Sequence, residues 1–116
     1  MFREHLKKLV ENVEGAKAAL LMEFDGIQVD SYTSGDMDII TLGTEFSQLM
    51  THVKRTASIL EVGGLEEMMV KTEDLILVFR VVNIDYFLVV AMTSAGNFGK
   101  ARFVLRLTVP RMLEEF

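Results

Sequence analysis

Two apolar runs constrain the fold of this chain more than any other feature. Residues 75–82 read LILVFRVV, and residues 86–92 read YFLVVAM. Such runs are too short to cross a membrane as helices and are typical of strands that are buried on both faces. The sequence therefore predicts a sheet whose central strands are covered by helices on both sides.

Three other segments form strands in this interpretation. Residues 16–24 and 27–32 predict a hairpin, because Asp25-Gly26 lies between them and glycine readily supplies the positive φ that such a turn requires. Residues 65–72 alternate imperfectly between apolar and polar side chains and carry charge, which is typical of an edge strand. Because short turns join neighbouring strands, the sheet is expected to be mostly antiparallel.

Three segments have the apolar spacing, or the capping and terminating residues, that are typical of helices. Residues 2–13 and 39–60 repeat apolar side chains every three or four positions. A last helix is expected from Asn97, as its N-terminal cap, to about Val109, with a kink or an end at Pro110. The second helix is the most regular, and its apolar stripe is Ile39, Leu42, Phe46, Leu49, Val53, Ala57 and Leu60, widened by Met50.

The predicted order is helix, two strands, helix, three strands, helix. This order describes an α/β (α+β) fold with a five-stranded, mostly antiparallel sheet and helices on both faces, within one domain over residues 1–116. The net charge of -5 argues against a nucleic-acid partner. The chain has no cysteine, and its first fifteen residues lack the apolar centre of a signal peptide. We expect a cytoplasmic protein with no membrane span.

The segment AMTSAGNFGKAR, residues 91–102, resembles a phosphate-binding loop because it contains two glycines and a lysine, but it lacks other residues that such a loop requires. A P-loop ending in Gly99-Lys100 would need glycine in place of Ser94 and serine or threonine in place of Ala101. A dinucleotide-binding loop would need a third glycine and a place after an early strand. The segment is interpreted as a turn into the last helix.

No catalytic or metal-binding constellation is evident elsewhere. His5 and His52 are the only histidines, and neither has a partner at a convincing metal-ligand spacing. The acidic pairs Glu66-Glu67 and Glu73-Asp74 are interpreted as solvated charge, because adjacent strand residues point to opposite faces. We therefore expect no enzyme activity and no cofactor. The basic residues of the last helix are likewise interpreted as a solvated face: Lys100, Arg102, Arg106 and Arg111.

The edge strand indicates an interface instead. Its unpaired backbone groups and its apolar side chains would be poorly protected in a monomer. We expect a homodimer that extends the sheet across a two-fold axis, with help from the second helix. The predicted interface residues are Leu65, Glu67, Met68, Met69, Val70, Met50, Val53 and Ala57.

The order of four short motifs resembles a known family. A first helix ends in Gly15, Asp25-Gly26 closes a hairpin, a long second helix covers residues 39–60, and Asn97-Phe98-Gly99 opens the last helix. In this order and spacing the chain resembles the roadblock family of dynein light chains, and within it the bacterial MglB type. The resemblance extends from residue 9 to residue 106.

This resemblance implies a homodimer with second helices side by side and third strands paired, without a catalytic site of its own. It also implies that the dimer binds a small Ras-like GTPase in its GTP form. Hydrolysis would be stimulated by repositioning of the GTPase's own residues, without an arginine finger. The binding surface would lie on the exposed side of the second helix, at Thr44, Glu45, Gln48, Thr51, His52 and Arg55.

Two other functions remain open at this point. The chain could be a structural adaptor that dimerises within a motor or signalling complex and does not activate a GTPase. A small-molecule sensor is a further alternative, which would require a cavity with convergent polar groups. Binding to a GTPase in its two nucleotide states, combined with the hydrolysis rate, distinguishes the activator from the adaptor.

Overall fold

Five strands form the central sheet of the computed structural model, which describes residues 2–116. They are β1 (Ala16–Glu23), β2 (Gln28–Thr33), β3 (Glu67–Lys71), β4 (Leu75–Val81) and β5 (Tyr86–Thr93). Within the same residues, three helices pack on the sheet: α1 (Phe2–Asn12), α2 (Ile39–Leu60) and α3 (Phe98–Leu113). The strand order is β2-β1-β5-β4-β3 and all neighbouring pairs are antiparallel. The predicted element order and sheet are confirmed.

The sheet separates two apolar layers. Successive side chains of a strand point to opposite faces, so β5 sends Val90 to the layer under α1 and α3 and Val89 to the layer under α2. In the same way β4 sends Val78 to the first layer and Phe79 to the second. This alternation explains why the runs in β4 and β5 contain almost no polar residue.

The two ends of the sheet differ from its centre. β2 and β3 are the edge strands. For β3 this position was predicted from its mixture of apolar and charged residues. The Asp25-Gly26 turn between β1 and β2 is also confirmed, with Gly26 at a φ of 93°. The register between β1 and β2 shifts at Leu21/Met22, which places an irregularity in the outer edge near the turn.

Helix α3 extends further than the sequence predicts. It continues through Pro110 to Leu113, so an end at Val109 is wrong. Proline lacks the N–H that would bond to the preceding turn. Met112, however, is fully buried against the sheet side, and Val109 is nearly so. Burial of these side chains on one face holds the last turn in place despite the missing hydrogen bond.

Candidate functional site

Helix α2 begins at a well-formed cap. The carboxylate of Asp38 accepts hydrogen bonds from the hydroxyl of Thr41 at 2.7 Å and from its backbone N–H at 3.1 Å. These two bonds lower the pKa of Asp38 below its ordinary value, and the bond from the hydroxyl has the larger effect. A charged carboxylate at this place also interacts favourably with the N-terminal end of the helix dipole.

Small residues bring α2 close to the sheet. Gly43 faces β1 so closely that a Cβ atom added to it would lie 2.2 Å from Cδ2 of Leu20. One turn later Ser47 is only 2% exposed, and its hydroxyl donates to the carbonyl of Thr44 at 2.7 Å. Met50 follows on the same side and is fully buried. The side of α2 that meets the sheet is therefore formed by Gly43, Ser47 and Met50.

The predicted apolar stripe of α2 is consequently buried only in part. Leu49 is 46% exposed and Leu60 is also exposed, whereas Leu42 and Val53 are half-buried. Spacings of seven, four and seven residues place these four side chains on one line along the helix. We call this line of Leu42, Leu49, Val53 and Leu60 the α2 seam.

The C-terminal half of α2 is attached to the turns of the sheet. Lys54 donates through Nζ to the carbonyl of Ile84 at 3.0 Å, and the same ammonium lies 3.5 Å from the ring centroid of Phe24. The helix then ends at Glu61, which adopts a left-handed backbone with φ of 53°. The orientation of α2 is thus set at both ends.

Four of the six predicted GTPase-binding residues lie on the exposed side of α2. We call them the polar face: Glu45, Gln48, His52 and Arg55. The other two, Thr44 and Thr51, are half-buried. Their hydroxyls donate to backbone carbonyls of the helix itself, Thr44 to Ile40 and Thr51 to Ser47, both at 2.9 Å. The structure therefore brings four of these candidates together on a surface that a partner can reach.

The β3 edge carries most of the predicted interface residues. β3 pairs with β4 on one side and with no other strand of residues 2–116. Met68 and Val70 lie opposite Phe79 and Leu77 of β4, so they face the α2 side of the sheet, where they are half-buried. Met69 points to the other side and is exposed.

The remaining interface candidates divide in two groups. Leu65, Glu67, Val53 and Ala57 are half-buried, so each keeps part of its surface open to a partner. Met50 is fully buried between α2 and the sheet of its own chain. This places Met50 in the core rather than on a surface, which corrects its assignment to the interface.

Glu67 has a structural partner on each side. Its carboxylate accepts from the guanidinium of Arg80 on β4 at 3.1 Å and from Nε of Arg102 on α3 at 2.8 Å. The interpretation of Glu67 and Arg102 as solvated charge is therefore wrong. The pairing with Arg80 is visible in the sequence only once β3 and β4 are aligned across the turn at Glu73-Asp74, because the two residues are then directly opposite.

The two histidines, His5 and His52, have different surroundings. His52 belongs to the polar face, while His5 on α1 pairs with the carboxylate of Glu115 near the end of the chain. Among residues 2–116 there is no group of three or more side chains that could together hold a metal ion. No helix in this part of the chain combines the length and the apolar character that a membrane crossing requires.

The asparagine at the start of α3 has the predicted role. The side chain of Asn97 accepts a hydrogen bond from the backbone N–H of Lys100 at 3.0 Å, which caps the helix. The segment that resembles a phosphate-binding loop is thus a turn between β5 and α3.

Comparison with known proteins decides the family. The family model of the Roadblock/LC7 domain matches residues 3–92, from α1 to the end of β5. The chain belongs to the Roadblock/LC7 family. The predicted resemblance is thereby confirmed. A comparison of this roadblock chain with curated proteins found no match.

Solved structures extend the likeness to α3. The crystal structure of MglC from Myxococcus xanthus is 42% identical, covers 99% of this chain and 98% of that chain, and has a TM-score of 0.72. The gliding protein MglB from Thermus thermophilus is 19% identical, with 97% and 88% of the two chains covered and a TM-score of 0.84. A structure of MglB with a tetrameric arrangement is 18% identical, with 91% and 80% covered and a TM-score of 0.81. The roadblock chain therefore shares its fold with MglB and its family with MglC.

Proposed function

We propose that this roadblock chain is a non-catalytic, cytoplasmic homodimer that regulates a small Ras-like GTPase. The observation that carries the proposal is the division of α2 into two unlike exposed sides, the α2 seam and the polar face. The seam is apolar and lies on the side of the β3 edge. The polar face is charged and points away from the sheet.

The apolar side is suited to a second copy of the chain. The ring of Phe46 on α2 contacts Phe79 on β4 with centroids 5.4 Å apart, so the seam side of α2 overlooks β4 and β3. On that side of the sheet Met68, Val70 and Leu75 are only half-covered. A second α2 placed beside the first would cover these side chains, while the two β3 edges pair across the two-fold axis.

The polar face is suited to a partner of different kind. It combines a carboxylate, a guanidinium, an amide and an imidazole on a helix of 22 residues. The choice of a Ras-like GTPase rests on the resemblance to the MglB type. The solved neighbours support the MglB type through a shared fold, and the tetrameric arrangement of one MglB structure supports an assembly of several subunits.

Leu49→Glu tests the dimer, with Ile59→Glu as the matched control. Both residues are exposed apolar side chains of α2, but Ile59, at 74% exposure, lies outside the seam. The substitution should remove about 1.5 kcal/mol of favourable burial free energy at each of the two symmetry-related leucines of the dimer. Dimerisation should therefore weaken about 100-fold. Sedimentation equilibrium should show a dimer for the wild type and Ile59→Glu and mostly monomer for Leu49→Glu. A monomeric wild type at micromolar concentration overturns this part of the proposal.

Arg55→Glu tests the polar face, with Lys7→Glu as the matched control on α1. Both are exposed cations. The assay mixes each variant with a small Ras-like GTPase from the same source, loaded with GTP or GDP, and records complex formation and hydrolysis. We expect selective binding of the GTP form, faster hydrolysis, and weaker binding by Arg55→Glu alone. Binding of both forms at an unchanged rate would assign an adaptor role, and the absence of any complex would refute regulation.

A further inference from the structure

A second surface lies on the opposite side of the sheet from α2. There a groove of about 310 Å³ runs between α1 and α3. Leu9 of α1 forms its buried floor, and Val104 and Leu107 of α3 form one wall. Lys8 and Arg111 stand at its rim, one on each helix. No aspartate or glutamate lines the groove.

The outer side of α3 continues the apolar character of the groove. Phe103 is 57% exposed and Leu107 is 49% exposed, although the opposite side of the same helix is buried through Ala101 and Leu105. A helix that is apolar on both sides normally has a neighbour on each. Exposed aromatic and aliphatic side chains that adjoin a groove are typical of a protein-binding surface.

The charge of α3 is opposite to that of the whole chain. The chain has a net charge of -5, yet α3 contains four cations, Lys100, Arg102, Arg106 and Arg111, and no acidic residue. Arg102 is paired with Glu67, whereas within residues 2–116 the other three form no salt bridge. Of these cations Arg111 lines the groove, opposite Lys8 of α1, whereas Arg106 lines a separate depression beside β4. The carboxylate of Glu115 contacts the lining residue His5. Lys8 and Arg111 therefore remain as the two lining cations that form no salt bridge within residues 2–116.

We propose that this groove binds an acidic amphipathic helix of another protein. Its apolar side chains would enter the groove over Leu9 and Leu107, and its carboxylates would face Lys8 and Arg111 across the rim. A second copy of this chain is a poor occupant, because a symmetric contact would bring Lys8 and Arg111 of both copies together. A membrane surface is also a poor occupant, because the floor of the groove is recessed between two helices.

The two surfaces of the molecule can be occupied together. The groove lies on the α1 and α3 side of the sheet, and the α2 seam, the polar face and the α2 side of β3 lie on the other. Binding in the groove should therefore leave the dimer and the proposed GTPase surface accessible. The inference does not depend on the proposed function.

The test uses a synthetic helical peptide of about 18 residues with leucine on one face and glutamate on both flanks. A control peptide has the same composition, rearranged so that the leucines no longer share a face. Fluorescence anisotropy should show saturable, salt-sensitive binding of the first peptide only. Leu107→Ser combined with Arg111→Glu should weaken binding at least about tenfold.

The matched control variant is Ile59→Ser combined with Arg55→Glu, which changes one exposed apolar and one exposed basic side chain of α2. It should bind the peptide as the wild type does. Circular dichroism confirms that each variant is folded, and Phe103→Ser serves as a second, milder variant. Equal binding of both peptides, no binding, or no effect of the groove variants overturns the proposal. Binding to phosphatidylserine-rich vesicles or to duplex DNA in place of the peptide overturns it as well.

Discussion

Replacement of Gly43 by alanine should destabilise the protein, although alanine is the better helix former. The added Cβ would lie 2.2 Å from Cδ2 of Leu20 and 3.1 Å from Cε and Sδ of Met22. Carbon atoms in contact are normally about 3.5–4.0 Å apart, so the Leu20 methyl group must move by more than about 1 Å. Both Leu20 and Met22 are fully buried, so their neighbours must move with them.

The expected magnitude is the difference of two effects. Overpacking of a well-filled core costs about 1–3 kcal/mol, and replacing glycine within a helix recovers about 1 kcal/mol. Because the required displacement is large, we expect a net loss of about 1–2 kcal/mol in the free energy of unfolding, or about 4–8 °C in Tm. The measurement is urea denaturation followed by circular dichroism at one protein concentration, since dimerisation would also contribute to stability.

Gly99→Ala is the matched control for this prediction. Gly99 lies in the first turn of α3, and a Cβ there would be 3.6 Å from Oδ1 of Asn97, an ordinary contact. The same substitution should therefore leave stability unchanged or raise it by up to about 1 kcal/mol. Leu20→Val should relieve part of the loss in Gly43→Ala, so that the double variant costs less than the sum. If Gly43→Ala is as stable as the wild type, the close approach of α2 to β1 is refuted.

Three further substitutions or conditions test the ends of helices. Asn97→Ala removes the acceptor for the N–H of Lys100 and should lower the unfolding free energy by about 1 kcal/mol in a denaturant titration. Glu61→Gly should raise it by about 1 kcal/mol, because glycine adopts the left-handed backbone of this residue without steric cost. The lowered pKa of Asp38 contributes stability that is present above its ordinary value of 3.8 and is lost as the pH falls through the folded-state pKa. A pH series of urea titrations should show this loss in the wild type and a smaller one in Asp38→Asn, whose amide still accepts the capping bond.

The architecture could be predicted from the sequence because its main signals are local. The runs in β4 and β5 require cover on both faces, and the Asp25-Gly26 turn joins its two strands with little ambiguity. The cap at Asn97 is likewise a contact between residues three apart. Pro110 is the exception among these local signals, since burial of Met112 on the far side of the proline decides where α3 ends.

The surfaces could be predicted less well because they depend on which neighbour each side chain meets. Apolar spacing identifies Leu49 and Met50 as members of one stripe, but it does not show that Met50 meets the sheet while Leu49 faces outward. Gly43 and Ser47 are not conspicuous in a hydropathy pattern, yet they form the side of α2 that approaches β1. The groove could not be predicted from the sequence, because Lys8 and Arg111, which lie on its two sides, are far apart along the chain.

The shared carboxylate of Glu67 has a consequence for communication through the molecule. It lies on the strand proposed to pair with a second subunit, and it holds Arg102 of the helix that forms one wall of the groove. If binding at one surface shifts this contact and thereby changes the affinity of the other, the reverse effect has the same factor, because binding free energies around a closed cycle are reciprocal. A single side chain thus connects the strand proposed for assembly with the helix that forms one wall of the proposed binding groove.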